Sequence, residues 1–269
     1  MGKVLKVVDE SSGTRGNGVQ ASQEAGGTNF SFIIPTRQEG EYIGRSLRYL
    51  TAVREEGKLD FEIIVVDGKS TDTTVQVATE FADTVIANSP LACVSIAHAR
   101  NLGAEAASGT FLFHTDADVF VPDLPRLLGR TTDEFSDPTV VAVTAPVMPY
   151  PWESTRTDWL IHRLANAHFR SSFRYGAFFA RGECQIVRRE SFDAIGGYRG
   201  DLISGEDCDL FRRLSRIGRI VYMTDLCVYH SLRRFRQVGY IRVFSAYLRE
   251  WIWMSVFHRS FIREWPVIR

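Results

Sequence analysis

The chain has 269 residues, 45% of them apolar, and its 32 lysines and arginines equal its 32 aspartates and glutamates. That suffices for one sizeable core, while zero formal charge argues against a nucleic-acid-binding domain, which carries a clear basic excess. The neutrality is uneven: from His230 onward eight arginines face only Glu250 and Glu264, a local +6 that leaves −6 on residues 1–229. Cys93, Cys184, Cys208 and Cys227 show no CxxC spacing, which suits reduced thiols in a cytosolic protein better than a disulfide framework or a zinc site. No run approaches about 18 apolar residues and MGKVLKVVDE lacks a signal core, so the chain is expected on the cytosolic side.

Residues 9–29, rich in Gly, Ser and polar side chains, read as the end of a flexible leader (1–29). FSFIIP (30–35) and FEIIVVDG (61–68) are short apolar runs, and Ile43, Leu47 and Leu50 give the stretch between them helical spacing, which makes a β-α-β unit. With Ser70 as N-cap, 71–82 is predicted to form a second helix, 84–88 a third strand and 94–107 an Ala-rich helix closed by Gly109. FLFHTDAD then supplies a fourth strand. Continuous apolar strands alternating with helices predict an α/β fold with a mostly parallel central sheet, whose ligands bind at the carboxyl ends of the strands. Residues 35–39, 67–72 and 116–118 all follow a strand, so they are expected to converge.

Asp116 and Asp118, one residue apart at a strand end, are expected on one face and need a counter-charge. Such a pair suits Mg²⁺ or Mn²⁺, hard cations held by one or two carboxylates plus substrate phosphates; a solvated turn yields the same DxD spelling. In GEDCDL the carboxylates of Glu206, Asp207 and Asp209 suit either general-base chemistry or the acidic first turn of a helix. His230 suits a metal ligand or a packed, hydrogen-bonded ring.

PTRQEG (35–40), VVDGKSTD (65–72), ARNLGAEAASG (99–109), TDAD (115–118) and GEDCDLFRRL (205–214), in this order, resemble the signatures of family 2 glycosyltransferases of the GT-A fold, over roughly residues 30–232. The resemblance implies that Pro35, Thr36 and Glu39 line the nucleotide pocket, that Asp67 contacts the base and that Asp72 orders its loop. It further implies that Arg100 reaches toward the donor, that Asp116 faces ribose and metal, and that Asp118 binds the metal, with His230 completing the shell. Gly182 and Glu183 would face the donor sugar, Glu206 would orient Asp207, the general base, and Arg233 and Arg234 would neutralise the departing diphosphate. The QxxRW signature of processive relatives is absent, which implies transfer of a single sugar.

The segment 233–269 is basic and aromatic. Tyr240, Phe244, Tyr247, Trp251, Met254, His258, Phe261 and Trp265 recur in steps of four and three, one aromatic stripe with arginines elsewhere around the helix. Such a stripe suits the cytosolic leaflet of a membrane, or packing on protein. Together these features predict an inverting glycosyltransferase, GT-A domain 30–232, using a nucleoside-diphosphate hexose (GDP-mannose or a UDP-hexose) with Mg²⁺ or Mn²⁺, and a lipid-linked acceptor. A metal-dependent nucleotidyltransferase would carry a Gly-rich phosphate loop after its first strand, which PTRQEG is not; a catalytically silent nucleotide-sugar module would not need Asp207.

Overall fold

A computed structural model describes residues 29–87, 92, 94–174, 181–257 and 259–261. Residues 1–28 of the expected leader, and His258 and Trp265 of the expected stripe, lie outside the described residues.

The elements run β1 (Phe30–Thr36), α1 (Gly40–Gly57), β2 (Phe61–Asp67), α2 (Thr74–Phe81), β3 (Thr84–Ile86), α3 (Ile96–Ala106), β4 (Phe111–His114), β5 (Val119–Phe120), α4 (Leu124–Phe135), β6 (Val140–Thr144), β7 (Val147–Pro149), α5 (Arg156–Arg174), β8 (Gln185–Arg188), α6 (Arg189–Ala194), α7 (Glu206–Leu214), β9 (Arg219–Tyr222), β10 (Val228–His230), α8 (Arg233–Val238) and α9 (Tyr240–Phe257). Seven strands form a sheet in the order β3-β2-β1-β4-β8-β6-β9, parallel except where β8 runs antiparallel to β4 and β6. A small sheet, β5-β10-β7, places His230 opposite Val119.

The strands are covered on both faces, which is why their sequences run apolar without alternation. Along β1, Phe30, Phe32 and Ile34 join Ile43, Leu47 and Leu50 of α1 and Leu124, Leu127 and Leu128 of α4, while Ile33 joins Ala97 and Ala104 of α3 and Leu210 and Phe211 of α7. Alternate residues of one strand thus anchor opposite layers. Each buried Leu, Ile or Phe contributes about 1.5–3 kcal/mol of transfer free energy, so the helices are held to the sheet mainly through these side chains. α3 begins at Ser95, whose hydroxyl accepts from the His98 amide at 3.3 Å. The expected N-cap at Ser70 is not used: α2 starts after Thr73, and Ser70 instead serves Asp67.

The C-terminal stripe turns out differently from its periodicity. Phe235 and Val243 are buried with Tyr240 and Phe244 packed on them, and Met254 lies against Gly205 at the start of α7. The outward face of α9 is instead Ile241, Leu248, Ile252 and Val256, with Ile241 86% exposed. Only part of the expected stripe docks on the domain: Tyr247 and Phe261 remain exposed, as do Trp253 and Phe257, alongside the aliphatic residues. No described helix is long and apolar enough to cross a membrane.

Candidate active site

The loops after β1 and β2 are stitched together before any ligand is considered. Asp67 is fully buried; its carboxylate accepts from the Thr36 hydroxyl at 3.2 Å and from the amide of Ser70 at 2.8 Å, and from the Ser70 hydroxyl as well. Gln38, in the left-handed region at φ 62°, donates from its amide nitrogen to Ser70 Oγ at 2.7 Å, and its side-chain oxygen accepts from the amides of Thr71 and Asp72 at 3.0 and 3.2 Å. The Gly40 amide reaches Asp72 at 3.1 Å. Thr36 and Asp67 are therefore held together next to Pro35, and Gln38, a member of PTRQEG to which no role was assigned, is the cross-link. Its only sequence signal is an amide side chain in a turn.

Arg100, on the inner side of α3, is 1% exposed. Its guanidinium donates to Asp116 Oδ1 at 3.0 Å, to Glu206 Oε1 at 2.8 Å and to the Gly182 carbonyl at 3.2 Å. Arg100 thus forms a buried bridge between the turn after β4 and the first turn of α7. A Cβ at position 182 would stand 2.4 Å from Arg100 Nη2, so glycine is what lets the chain pass over the guanidinium.

Asp116 and Asp118 do not share a strand face: β4 ends at His114 and both lie in the turn before β5. The counter-charge is therefore divided. Asp116 faces Arg100, while Asp118 Oδ2 lies 3.3 Å from Arg233 Nε, whose Nη2 also donates to Glu39 Oε1 at 2.6 Å. The Arg233 guanidinium lies 4.5 Å from the centre of the Tyr42 ring, a cation–π contact that fixes its plane. Burial pushes Asp118 up to about 7, with Asp116, Glu39 and Glu183 adding to the rise and Arg233 opposing it. Burial likewise raises Glu39 and Asp116.

Behind this pair lies a buried polar cluster. Glu183 pairs with Arg181, and its Oε1 is 3.3 Å from His230 Nδ1; His230 Nε2 is 3.0 Å from His162 Nε2, and His162 Nδ1 is 3.1 Å from the Asp158 carbonyl. Burial lowers His162 to about 4 and His230 to about 3, with Arg181 pressing the same way. Burial alone would raise Glu183, but the Arg181 guanidinium beside it holds it below the usual carboxylate range. Both ring nitrogens of His230 are thus engaged within the fold. His162 and Arg181 were not predicted; the available signal was two polar residues, Asp158 and His162, four apart on the buried side of an amphipathic helix.

Asp207 opens α7 with Glu206 and Asp209, but the three carboxylates part company. Asp209 is 1% exposed and held by Arg212 at 3.0 Å and Arg213 at 2.7 Å, which anchors the helix. Glu206 is taken by Arg100. Asp207 is half-buried and accepts from the Cys208 amide at 2.7 Å, with no arginine or lysine bridging it among the described residues. Burial pushes it up to about 6, although Arg100 opposes the rise.

Among the described residues no three His, Cys, Asp or Glu side chains are gathered as a ready metal cage, so Asp116, Asp118 and His230 do not form a closed three-ligand set. The donor set nevertheless fits a divalent cation that brings its own ligands. Glu39 Oε2 is buried without a partner, and four carboxylates (Glu39, Asp116, Asp118, Glu183) crowd one region against Arg233 and Arg181. Asp116 and Asp118 would hold an ion whose remaining ligands are diphosphate oxygens.

A mostly parallel sheet with helices on both faces, carrying carboxylates and arginines past its strand ends, is an open α/β architecture of the kind that binds ligands at that edge. The chain belongs to glycosyl transferase family 2, whose family model matches residues 31–196. It is 27% identical over 214 residues to the succinoglycan biosynthesis protein ExoA of Rhizobium meliloti, covering 76% of this chain and 63% of that protein. It is 24% identical over 217 residues to the O-antigen chain rhamnosyltransferase WbaN of Salmonella anatum, covering 76% of this chain and 66% of that protein. The chain thus spans less than two thirds of the length of these curated relatives. Among solved structures, the mannosyltransferase PcManGT of Pyrobaculum calidifontis, in complex with GDP-Man and Mn²⁺, aligns with a TM-score of 0.55 at 21% identity, covering 82% of this chain and 64% of that one. Glucosyl-3-phosphoglycerate synthase of Mycobacterium tuberculosis, in complex with Mn²⁺, UDP and product, aligns at 0.54 and 20%, covering 88% and 81%. These structural likenesses establish the fold.

Proposed function

We propose that the chain transfers a single hexose, with inversion, from a nucleoside-diphosphate sugar to an acceptor hydroxyl. The observation that carries this reading is that Asp207, half-buried and without a cationic partner, stands next to the Arg100–Glu206 bridge while its neighbours are all neutralised. A carboxylate left free and raised toward neutrality suits a general base, which takes the acceptor proton as the hydroxyl attacks the anomeric carbon. Pro35, Thr36, Glu39 and Asp67 would line the nucleotide pocket, and Gly182 the sugar. Asp116 and Asp118 would hold Mg²⁺ or Mn²⁺, which when bound neutralises the diphosphate, and Arg233 would add a fixed positive charge as it departs. That PcManGT was solved with GDP-Man and Mn²⁺ supports this donor class.

The acceptor in this reading is lipid-linked and the protein peripheral to the cytosolic face of a membrane. ExoA and WbaN are named for succinoglycan biosynthesis and O-antigen chain assembly, which supports a glycan acceptor. The support within this chain is the outward stripe of α9, Ile241, Leu248, Ile252 and Val256, with exposed Arg242 and Arg249 on the same helix. Co-flotation with anionic vesicles, lost in Leu248→Asp/Ile252→Asp, is expected; flotation unchanged by that pair would end the membrane reading.

The donor site is tested by thermal shift with UDP- and GDP-sugars, with and without Mn²⁺. One nucleotide is expected to stabilise the chain by about 2.7 kcal/mol at a hundredfold excess over Kd, and Asp118→Ala to abolish the metal-dependent part. No shift with any nucleotide sugar would refute the donor assignment. Asp207→Asn is expected to keep the shift while losing transfer by roughly 10²- to 10⁴-fold.

A further inference from the structure

The helix that carries Asp207 starts without a side-chain cap. Its N-cap is Gly205, in the left-handed region at φ 75°, so the residues just before it decide where the first turn of α7 sits. Those residues are held from the C-terminal segment. The amides of Ile203 and Ser204 donate to Ser260 Oγ at 2.9 and 3.2 Å, and the Ser260 hydroxyl gives its hydrogen to the Ser204 carbonyl at 3.0 Å. A hydroxyl has one hydrogen and two lone pairs, so the full bonding capacity of Ser260 is spent on this one loop. Ser204 is buried, and its amide and carbonyl need such partners.

Ser260 is in turn fixed by α9. Both carboxylate oxygens of Glu250, which is 4% exposed, accept from the Phe261 amide at 3.1 and 3.2 Å. The Arg249 guanidinium lies 4.8 Å from the centre of the Phe261 ring, and Trp253 meets that ring edge-on at 5.2 Å. One turn after Glu250, Met254 lies against Gly205 itself, where a Cβ would stand 2.2 Å from Met254 Sδ. Ser260 and Met254 thus close on residues 203–205, which end two positions before Asp207, from a segment that the sequence sets apart from the catalytic domain.

We propose that Ser260 is a positioning residue for Asp207: it fixes the loop that aims the first turn of α7, so that the C-terminal segment is part of the active-site framework. The inference rests on the reading of Asp207 as general base. The residues assigned to the nucleotide, Pro35, Thr36, Glu39 and Asp67, lie at the ends of β1 and β2, whereas the bonds of Ser260 go to the loop before α7. Loosening that loop therefore spares donor binding and slows turnover, since a misplacement of about 1 Å can cost on the order of 10²-fold in rate.

Two variants of the full chain separate the hydroxyl from simple packing. Ser260→Thr keeps the hydroxyl, and Ser260→Val has the shape of threonine without it. Hydrogen exchange at the Ile203 and Ser204 amides reports the loop, and thermal shift with UDP-glucose and GDP-mannose reports donor binding. Turnover is followed as release of UDP or GDP from the same donors with water as acceptor. Ser260→Thr is expected to match wild type in all three. Ser260→Val is expected to exchange both amides faster and to lose turnover by roughly 10- to 100-fold, with the thermal shift unchanged. The inference is overturned if the two variants turn over alike, if the amides of Ser260→Val exchange as in wild type, or if its donor shift falls in step with its turnover. Wild type that turns over neither donor, or Asp207→Asn that turns over like wild type, overturns the base reading and the purpose assigned to Ser260, while amide exchange still decides whether Ser260 holds the loop.

Discussion

Arg100→Met tests whether the site is organised around one buried cation. The guanidinium is 1% exposed and bridges Asp116, whose side chain is 31% exposed, and Glu206, at 9%. Removing one member of a buried pair costs about 3–5 kcal/mol because the other charge is stranded; here most of that cost belongs to Glu206, since water can reach Asp116. For a chain of this size, each kcal/mol moves Tm by about 2–4 °C, so the variant is expected to melt roughly 6–20 °C lower at pH 8. The loss depends on pH with a definite sign. Glu206 is already pushed up to about 8 by burial, with Asp207 next to it, and Arg100 opposes the rise. Without Arg100 its folded pKa stands further above the unfolded value, so ionised Glu206 destabilises the fold, and protonation relieves it. The pH-dependent part of the deficit is therefore expected at and above the wild-type folded value of about 8 and levels off below about pH 7, so the deficit is larger at pH 8 than at pH 5. Urea unfolding at both pH values measures it, with Arg100→Lys expected to retain more than half of the stability because it keeps the charge but not the two-armed contact. A variant within about 1 kcal/mol of wild type at pH 8, or a deficit that widens on acidification, would show that the bridge does not hold the turn after β4 to α7.

The remaining predictions concern Asp207, Gly182 and the C-terminal helix. In the base role proposed for Asp207 the carboxylate must be ionised, and burial raises it to about 6, so kcat/KM for transfer is expected to fall as pH drops below about 6; a profile flat between about 5 and 8 would remove Asp207 from that role. Gly182→Ala places a Cβ 2.4 Å from Arg100 Nη2, so donor affinity is expected to drop while circular dichroism stays native; unchanged affinity would mean the segment yields without disturbing Arg100. Gly205 has φ 75°, and a Cβ there would meet Met254 Sδ at 2.2 Å, so Gly205→Ala is expected to cost about 1–3 kcal/mol. In a double-mutant cycle with Met254→Ala the two losses are expected to be less than additive; strict additivity would mean that α9 does not bear on the start of α7.

Much of the framework was legible in the linear sequence because its causes are local. Runs such as FEIIVVD are apolar throughout because both faces of the sheet are covered, and Ile43, Leu47 and Leu50 recur at helical spacing because one side of α1 is buried. PTRQEG, VVDGKSTD and TDAD marked segments that follow strand ends, and the family model over 31–196 covers them together with ARNLG, while GEDCDLFRRL lies beyond it. What tertiary structure alone decided was the pairing of charges. Asp116 and Asp118 sit two positions apart yet answer to different arginines, because the chain leaves the strand at His114 and turns between Arg100 of α3 and Arg233 of α8. GEDCDL spells three acids in four positions, but only burial against Arg213, Arg100 or neither distinguishes an anchor, a bridge and a free carboxylate. His162 and His230 lie 68 residues apart and meet only because β10 is inserted between β5 and β7 beside α5. Periodicity reports which residues are buried; which buried charge faces which depends on long-range packing, and that packing set the partner of each ionised group.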